Sequence, residues 1–174
     1  MLVERALSGS EQVSPDLDMA LSAQGLRLFL DSYRENVCVD SVLYADVAMT
    51  LSALKEQGYR LAIVTNKPIE FVAPILTKFN LNGLFEEVLG GDSLARKKPD
   101  PLPLIHLCQL LDIPEQKCLM IGDSKNDILA AKHAKIQCIG LTYGYNYGEN
   151  IDIYQPDLVV DQFSQLLSCL ASRG

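Results

Sequence analysis

The sequence is poor in the features that would mark several broad classes of protein. No apolar stretch approaches the roughly 20 residues needed to cross a bilayer, so a membrane-spanning role is not expected. There is no long lysine or arginine run, and the net charge is −7. That combination argues against a nucleic-acid partner, whose footprint would be a basic patch. It also sets a constraint: any anionic ligand must be held locally, by a few cations, a metal or helix N-termini. The five cysteines, Cys38, Cys108, Cys118, Cys138 and Cys169, are odd in number and include no Cys-x-x-Cys pair. Neither a disulfide framework nor a zinc site is expected from them. Cys118 and Cys138 sit in apolar runs and read as buried, reduced thiols. The two histidines, His106 and His133, lack a second ligand at suitable spacing and read as structural or surface residues. The opening MLVERALSGSEQ carries charge where a secretory segment would be apolar, so no leader is expected and the setting reads as cytoplasmic.

What is present is ordinary globular composition, 48% hydrophobic and 21% charged, enough for one domain with a small appendage. Residues 41–174 alternate strand-like and helix-like segments. Val47, Leu51 and Leu54 form a helical stripe that stops at Gly58. Leu61 to Val64 is a short continuous apolar run, the pattern of a parallel strand covered on both faces. Pro68 suits the first turn of a helix reaching about Phe79, with Pro74 expected to kink it. Glu87-Val88-Leu89 reads as a strand and Leu102–Leu111 as a helix. Cys118 to Ile121 reads as a strand, Asp127 to Ala134 as a helix, and Ile136 to Thr142 as a strand. Leu158 to Val160 is a last short strand, and Phe163, Leu166, Leu167 and Leu170 outline a closing helix. Such alternation implies an α/β domain with a mainly parallel sheet and right-handed crossovers. Residues 1–40 hold helical pieces, such as Leu21 to Tyr33, and no convincing strand. They read as a separate helical appendage.

Open α/β sheets bind ligands beyond the carboxyl ends of their strands, so the residues after each strand are the ones to inspect. Thr65, Asn66 and Lys67 follow the first. Gly122-Asp123-Ser124-Lys125-Asn126-Asp127 follows a later one, and Arg96-Lys97-Lys98-Pro99-Asp100-Pro101 lies between them. Singly, each has an ordinary explanation. Thr65 or Asn66 could cap a helix, Ser124-x-x-Asp127 fits a capping box, and the lysines could be solvated. Together they place a hydroxyl, a cation and paired acids at one end of one sheet. Those are the groups phosphoryl transfer uses: donors for phosphate oxygens, a positive charge, and carboxylates for magnesium.

The order Val64-Thr65-Asn66, then Lys98-Pro99-Asp100-Pro101, then Gly122 to Asp127 resembles motifs two, three and four of the haloacid dehalogenase superfamily. Thr65-Asn66-Lys67-Pro68, Gly90-Gly91-Asp92 and Leu141-Thr142-Tyr143-Gly144-Tyr145-Asn146-Tyr147-Gly148-Glu149 resemble its phosphoglycolate phosphatase branch. The resemblance implies a Rossmann-type core with a helical cap. It implies magnesium-dependent hydrolysis of a small phosphorylated metabolite through an aspartyl-phosphate. On it, Thr65 would hydrogen-bond the phosphoryl group, Lys98 (which directly precedes proline, unlike Lys97) would neutralise charge, and Asn66 would contact substrate. Asp123 would ligate Mg2+, and Asp127 would act from one shell further out, on a metal-bound water or on Lys98.

One element of that family pattern is not found. The superfamily's first motif, Asp-x-Asp-Gly-Thr at the end of a central strand, supplies the nucleophile and the general acid and base. The Asp-x-Asp here, Asp16-Leu17-Asp18, follows Val13-Ser14-Pro15 rather than an apolar strand and lacks the Gly-Thr turn. It reads as an acidic loop capping the next helix. Residues 1–40 then correspond to the tail of the cap, and the first strand would lie upstream of Met1. The expectation is a core without its first central strand, with little or no activity alone. The two edges exposed by that gap invite self-association or a partner strand.

Overall fold

A computed structural model describes residues 2–10 and 12–171. The chain divides into two compact units, Met1–Ser41 and Val42–Gly174.

The first unit is a pair of helices, α1 (Leu2–Ser8) and α2 (Met19–Asn36). Asp18 is the N-cap of α2, its carboxylate accepting the Ala20 N–H at 2.8 Å. The Asp16–Asp18 segment therefore starts a helix by satisfying an orphan donor. Gly25 lets the two helices close: a Cβ there would stand 3.1 Å from Val3 and 3.2 Å from Leu7. Neither helix buries a residue fully. Met19 is 85% exposed, and Leu2, Leu26 and Leu28 are also open.

The second unit is the α/β domain. Its strands are β1 (Ala62–Val64), β2 (Glu87–Leu89), β3 (Leu119–Gly122), β4 (Gln137–Leu141) and β5 (Leu158–Val160). Its helices are α3 (Val47–Glu56), α4 (Val72–Lys78), α5 (Leu102–Leu111), α6 (Lys125–Ala134) and α7 (Gln165–Ala171). Every strand pair is parallel, with Ile63 opposite Val88, Ile121 opposite Ile139, and Gly140 opposite Val159.

Period-two alternation sorts the strand side chains onto two faces. Met120, Cys138 and Val159 join Leu104, Cys108, Ile128 and Ala131 in one core. Leu119, Ile121, Ile139, Leu141 and Val160 join Leu166 and Phe163 in the other. The stretch expected as one kinked helix is instead a 3-10 turn, Ile69–Phe71, followed by α4. Pro74 then falls in the first turn of α4, where a missing N–H costs nothing, and no mid-helix kink arises.

The sheet is not continuous. Among the described residues β1 pairs only with β2, while β3, β4 and β5 form a separate three-stranded sheet. Val64 packs on the same core as Met120, yet no ladder joins β1 to β3. The Thr65 N–H donates to Leu89 O at 2.9 Å, toward β2. Strand alternation turns the neighbouring Val64 backbone the opposite way, onto an edge that carries no strand.

Candidate active site

That edge is where the candidate residues meet. Lys98, only 8% exposed, donates from Nζ to the Val64 carbonyl and, at 2.6 Å, to Asp127 Oδ1. Its neighbour Lys97 is exposed. One ammonium thus spans from the end of β1 to the first turn of α6. Asp127, 6% exposed, has no oxygen to spare: Oδ2 accepts the Ser124 N–H at 3.1 Å. Ser124 Oγ accepts the Asn126 N–H at 3.1 Å and completes the capping box. Asp127 therefore serves the capping box with one oxygen and meets the Lys98 ammonium with the other. Gly122 makes this possible, since a Cβ there would lie 2.3 Å from Asp127 Cβ.

Thr65 follows β1, and its Oγ1 accepts the Lys67 N–H at 3.1 Å. The hydroxyl proton remains available to donate. Asn66 Nδ2 donates to Lys98 O at 2.8 Å, and its buried Oδ1 has no partner among the described residues. Gly90 and Gly91 explain themselves here. A Cβ on Gly91 would sit 2.2 Å from Asn66 O, and one on Gly90 would sit 2.5 Å from Ile69 N. The Gly91 N–H to Lys67 O bond (2.8 Å) and the Ile69 N–H to Asp92 Oδ1 bond (2.8 Å) then clasp the two turns.

Asp123 stands half-buried just past β3. Its Oδ2 accepts the Tyr145 N–H at 2.8 Å, and Oδ1 accepts nothing among the described residues. Gly144, at φ +112°, lies against it so closely that a Cβ would come within 1.9 Å of Oδ2. The remaining residues of this tyrosine-rich turn make contacts that motif reading did not anticipate. Asn146, 7% exposed, accepts the Lys125 N–H at 2.9 Å and donates to Glu149 O at 2.9 Å. Lys125 Nζ pairs with Glu149 at 3.2 Å and lies 5.7 Å from the Tyr147 ring centre. The Tyr154 hydroxyl, then Lys125, hold the Glu149 carboxyl below its usual range, while Glu149 raises Lys125. The Tyr143 hydroxyl is buried without a partner among the described residues, its ring 4.6 Å from that of Tyr44, and burial raises its pKa.

Among the described residues no three His, Cys, Asp or Glu side chains gather as a metal cage. Magnesium does not need one: it takes one or two carboxylates and completes its shell with water and phosphate. Asp123, with one oxygen fixed and the other free, fits as one such ligand. Asp127, with both oxygens engaged, fits only from outside the first shell. A cleft of about 560 Å³ is lined by Gly91, Arg96, Lys97, Pro99, Asp100 and His133, and its lining includes none of Thr65, Lys98 or Asp123. Its Arg96 is already paired with Asp100 at 3.0 Å, and the exposed His133 reaches Pro99 O at 3.3 Å.

Parallel strands flanked by helices, with a hydroxyl, a buried lysine and two aspartates at the carboxyl ends, define a Rossmann-like α/β phosphoryl-transfer class. Within it the chain belongs to the haloacid dehalogenase-like hydrolase family, which matches residues 10–141. It is 52% identical over 170 residues to a phosphoglycolate phosphatase of Colwellia psychrerythraea, covering 98% of this chain and 75% of the relative. A phosphoglycolate phosphatase of Psychrobacter arcticus is 47% identical, with 98% and 74% covered. Among solved structures, a predicted phosphoglycolate phosphatase of Haemophilus somnus superposes with a TM-score of 0.86 at 43% identity. That match covers 95% of this chain and 72% of the other. No helix among the described residues is long and apolar enough to cross a membrane.

Proposed function

We propose that these residues serve the hydrolysis of 2-phosphoglycolate to glycolate, with the nucleophilic acid delivered by a strand seated between β1 and β3. The observation that carries this is the placement of Lys98. Its ammonium sits at the break in the sheet, held by the Val64 carbonyl and Asp127. A cation fixed there faces any carboxylate that a strand in the break would present. In this reading the Thr65 hydroxyl donates to a phosphoryl oxygen, and the orphan Asn66 Oδ1 accepts from substrate. Lys98 neutralises the phosphate and the attacking carboxylate as a point charge, and Asp127 holds it in place. Asp123 ligates Mg2+, which when bound offsets charge on the phosphoryl oxygens.

The helical unit of residues 1–40 is, on this proposal, the remnant of a helical cap domain. A reducing cytoplasm suits the buried thiols of Cys108 and Cys138. The same open edges give these 174 residues a route to self-association. A non-catalytic Mg2+- and phosphate-binding module, or one half of a two-fragment enzyme, are the competing readings.

The test is phosphate release from 2-phosphoglycolate with Mg2+, using the chain alone and with a peptide made of an apolar strand ending in Asp-x-Asp-Gly-Thr. The proposal expects no turnover alone and measurable turnover with the peptide. Turnover by the chain alone at a complete enzyme's rate would refute it. Binding of phosphate without turnover in either case would favour the module.

A further inference from the structure

Among the described residues Asp123 has one anchor, and that anchor is the Tyr145 backbone N–H on a largely exposed turn. The Tyr145 side chain is 85% exposed, so nothing on it holds the backbone that donates to Asp123. Gly144, at φ +112°, can swivel. The next residue is different. Asn146 is 7% exposed and makes three bonds at 2.9 Å: Oδ1 accepts from Lys125 N, Nδ2 donates to Glu149 O, and its carbonyl accepts from Glu149 N. Lys125 is the first residue of α6, whose opening N–H groups have no partner within the helix. One side chain thus ties the turn to the helix that also carries Asp127.

We infer that Asn146 is a positioning residue: it fixes the rotamer of Asp123 by holding the Tyr145 N–H on Oδ2, so that Oδ1 alone is presented to a divalent cation. The cation rests on the proposed function; the clamp does not. The Lys125–Glu149 ion pair is a poorer anchor. Its side chains are 37% and 42% exposed and pay rotamer entropy to meet.

The experiment compares amide hydrogen exchange in the wild-type chain, Asn146→Ala, Asn146→Asp and Glu149→Gln, with Mn2+ affinity measured on the same samples. Losing two part-buried hydrogen bonds should speed Tyr145 exchange by roughly tenfold or more in Asn146→Ala, with Ile139 and Ala130 unchanged. Asn146→Asp keeps the acceptor for Lys125 N and should recover part of the protection. Glu149→Gln should stay near wild type. Mn2+ affinity should fall in Asn146→Ala in step with the lost protection. Tyr145 exchange within twofold of wild type in Asn146→Ala, or loss of protection spread equally over Ile139 and Ala130, would overturn the inference. Asp123→Asn separates the two readings. Undiminished Mn2+ binding there refutes the metal role, while Tyr145 exchange still reports on the clamp.

Discussion

The Lys98–Asp127 pair gives the sharpest energetic expectation. Both side chains are 8% exposed and 2.6 Å apart, so surface screening contributes little. Replacing Asp127 by Asn keeps the shape and one acceptor for the Ser124 N–H, while leaving a buried ammonium without its counter-charge. Breaking one side of a buried pair costs roughly 3–5 kcal/mol. For a domain of this size each kcal/mol moves Tm by ~2–4 °C, so a fall on the order of 10 °C is expected. Asp127→Ala removes the capping bond as well and should cost about 1 kcal/mol more. Removing both charges together is the informative step. Lys98→Met with Asp127→Leu should recover most of the loss, because apolar replacements of similar volume owe no desolvation cost. Urea midpoints followed by far-ultraviolet circular dichroism measure these chains together with the single variants Lys98→Met and Asp127→Leu. Additive losses in the double variant, or a loss under about 1 kcal/mol in Asp127→Asn, would refute the buried pair.

Other expectations concern glycines, thiols and pH. A Cβ on Gly122 would strike Asp127 at 2.3 Å, whereas one on Gly58 meets nothing within 4 Å and suffers only its φ of +87°. Gly122→Ala should cost roughly 3 kcal/mol, and Gly58→Ala about 1, by urea midpoint; the reverse order would refute the packing argument. Burial, aided by the Cys118 sulfur 3.5 Å away, pushes the Cys108 thiol up to about 12. An aromatic disulfide reagent at pH 8 should therefore reach Cys118 and leave the buried Cys108 and Cys138 unmodified until urea opens the core; rapid labelling of Cys108 would contradict this. Glu149 titrates below its usual range, held first by the Tyr154 hydroxyl and then by Lys125. Its contribution is complete above the ordinary glutamate value and is lost as pH falls through the depressed one. Amide protection of residues 147–149 should drop in that window while Tyr145 stays near its neutral-pH value, and Glu149→Gln should abolish the pH step.

The strands and helices were legible because periodicity and breakers agreed. Glu87–Leu89 and Leu102–Leu111 match the observed bounds, and Asp18 caps α2 as its position before an apolar stripe implies. The 65–78 segment was less legible. Whether a proline kinks a helix or opens one depends on where the first turn falls, and a 3-10 turn moved that point past Phe71. At the candidate site, the strand-end rule pointed to Thr65, Asp123 and Asp127, and the family resemblance pointed to Lys98. It could not show that Lys98 reaches the Val64 carbonyl, a contact between residues 34 apart in sequence. Asn146 escaped for a different reason. Among tyrosines and glycines it looks like a turn residue, and only its burial and its bond to Lys125 N give it a task. A buried polar residue inside an exposed aromatic turn is the signal that could have found it.

The central claim is that the break between β1 and β3 is the seat of an acid-bearing strand. The direct measurement is amide exchange across the chain with and without the Asp-x-Asp-Gly-Thr strand peptide. The account predicts added protection on both edges of the break, at Val64 and along the side of β3 away from β4, with none at the outer edges of β2 and β5. Protection confined to those outer edges, or absent everywhere while the peptide restores turnover, would contradict it.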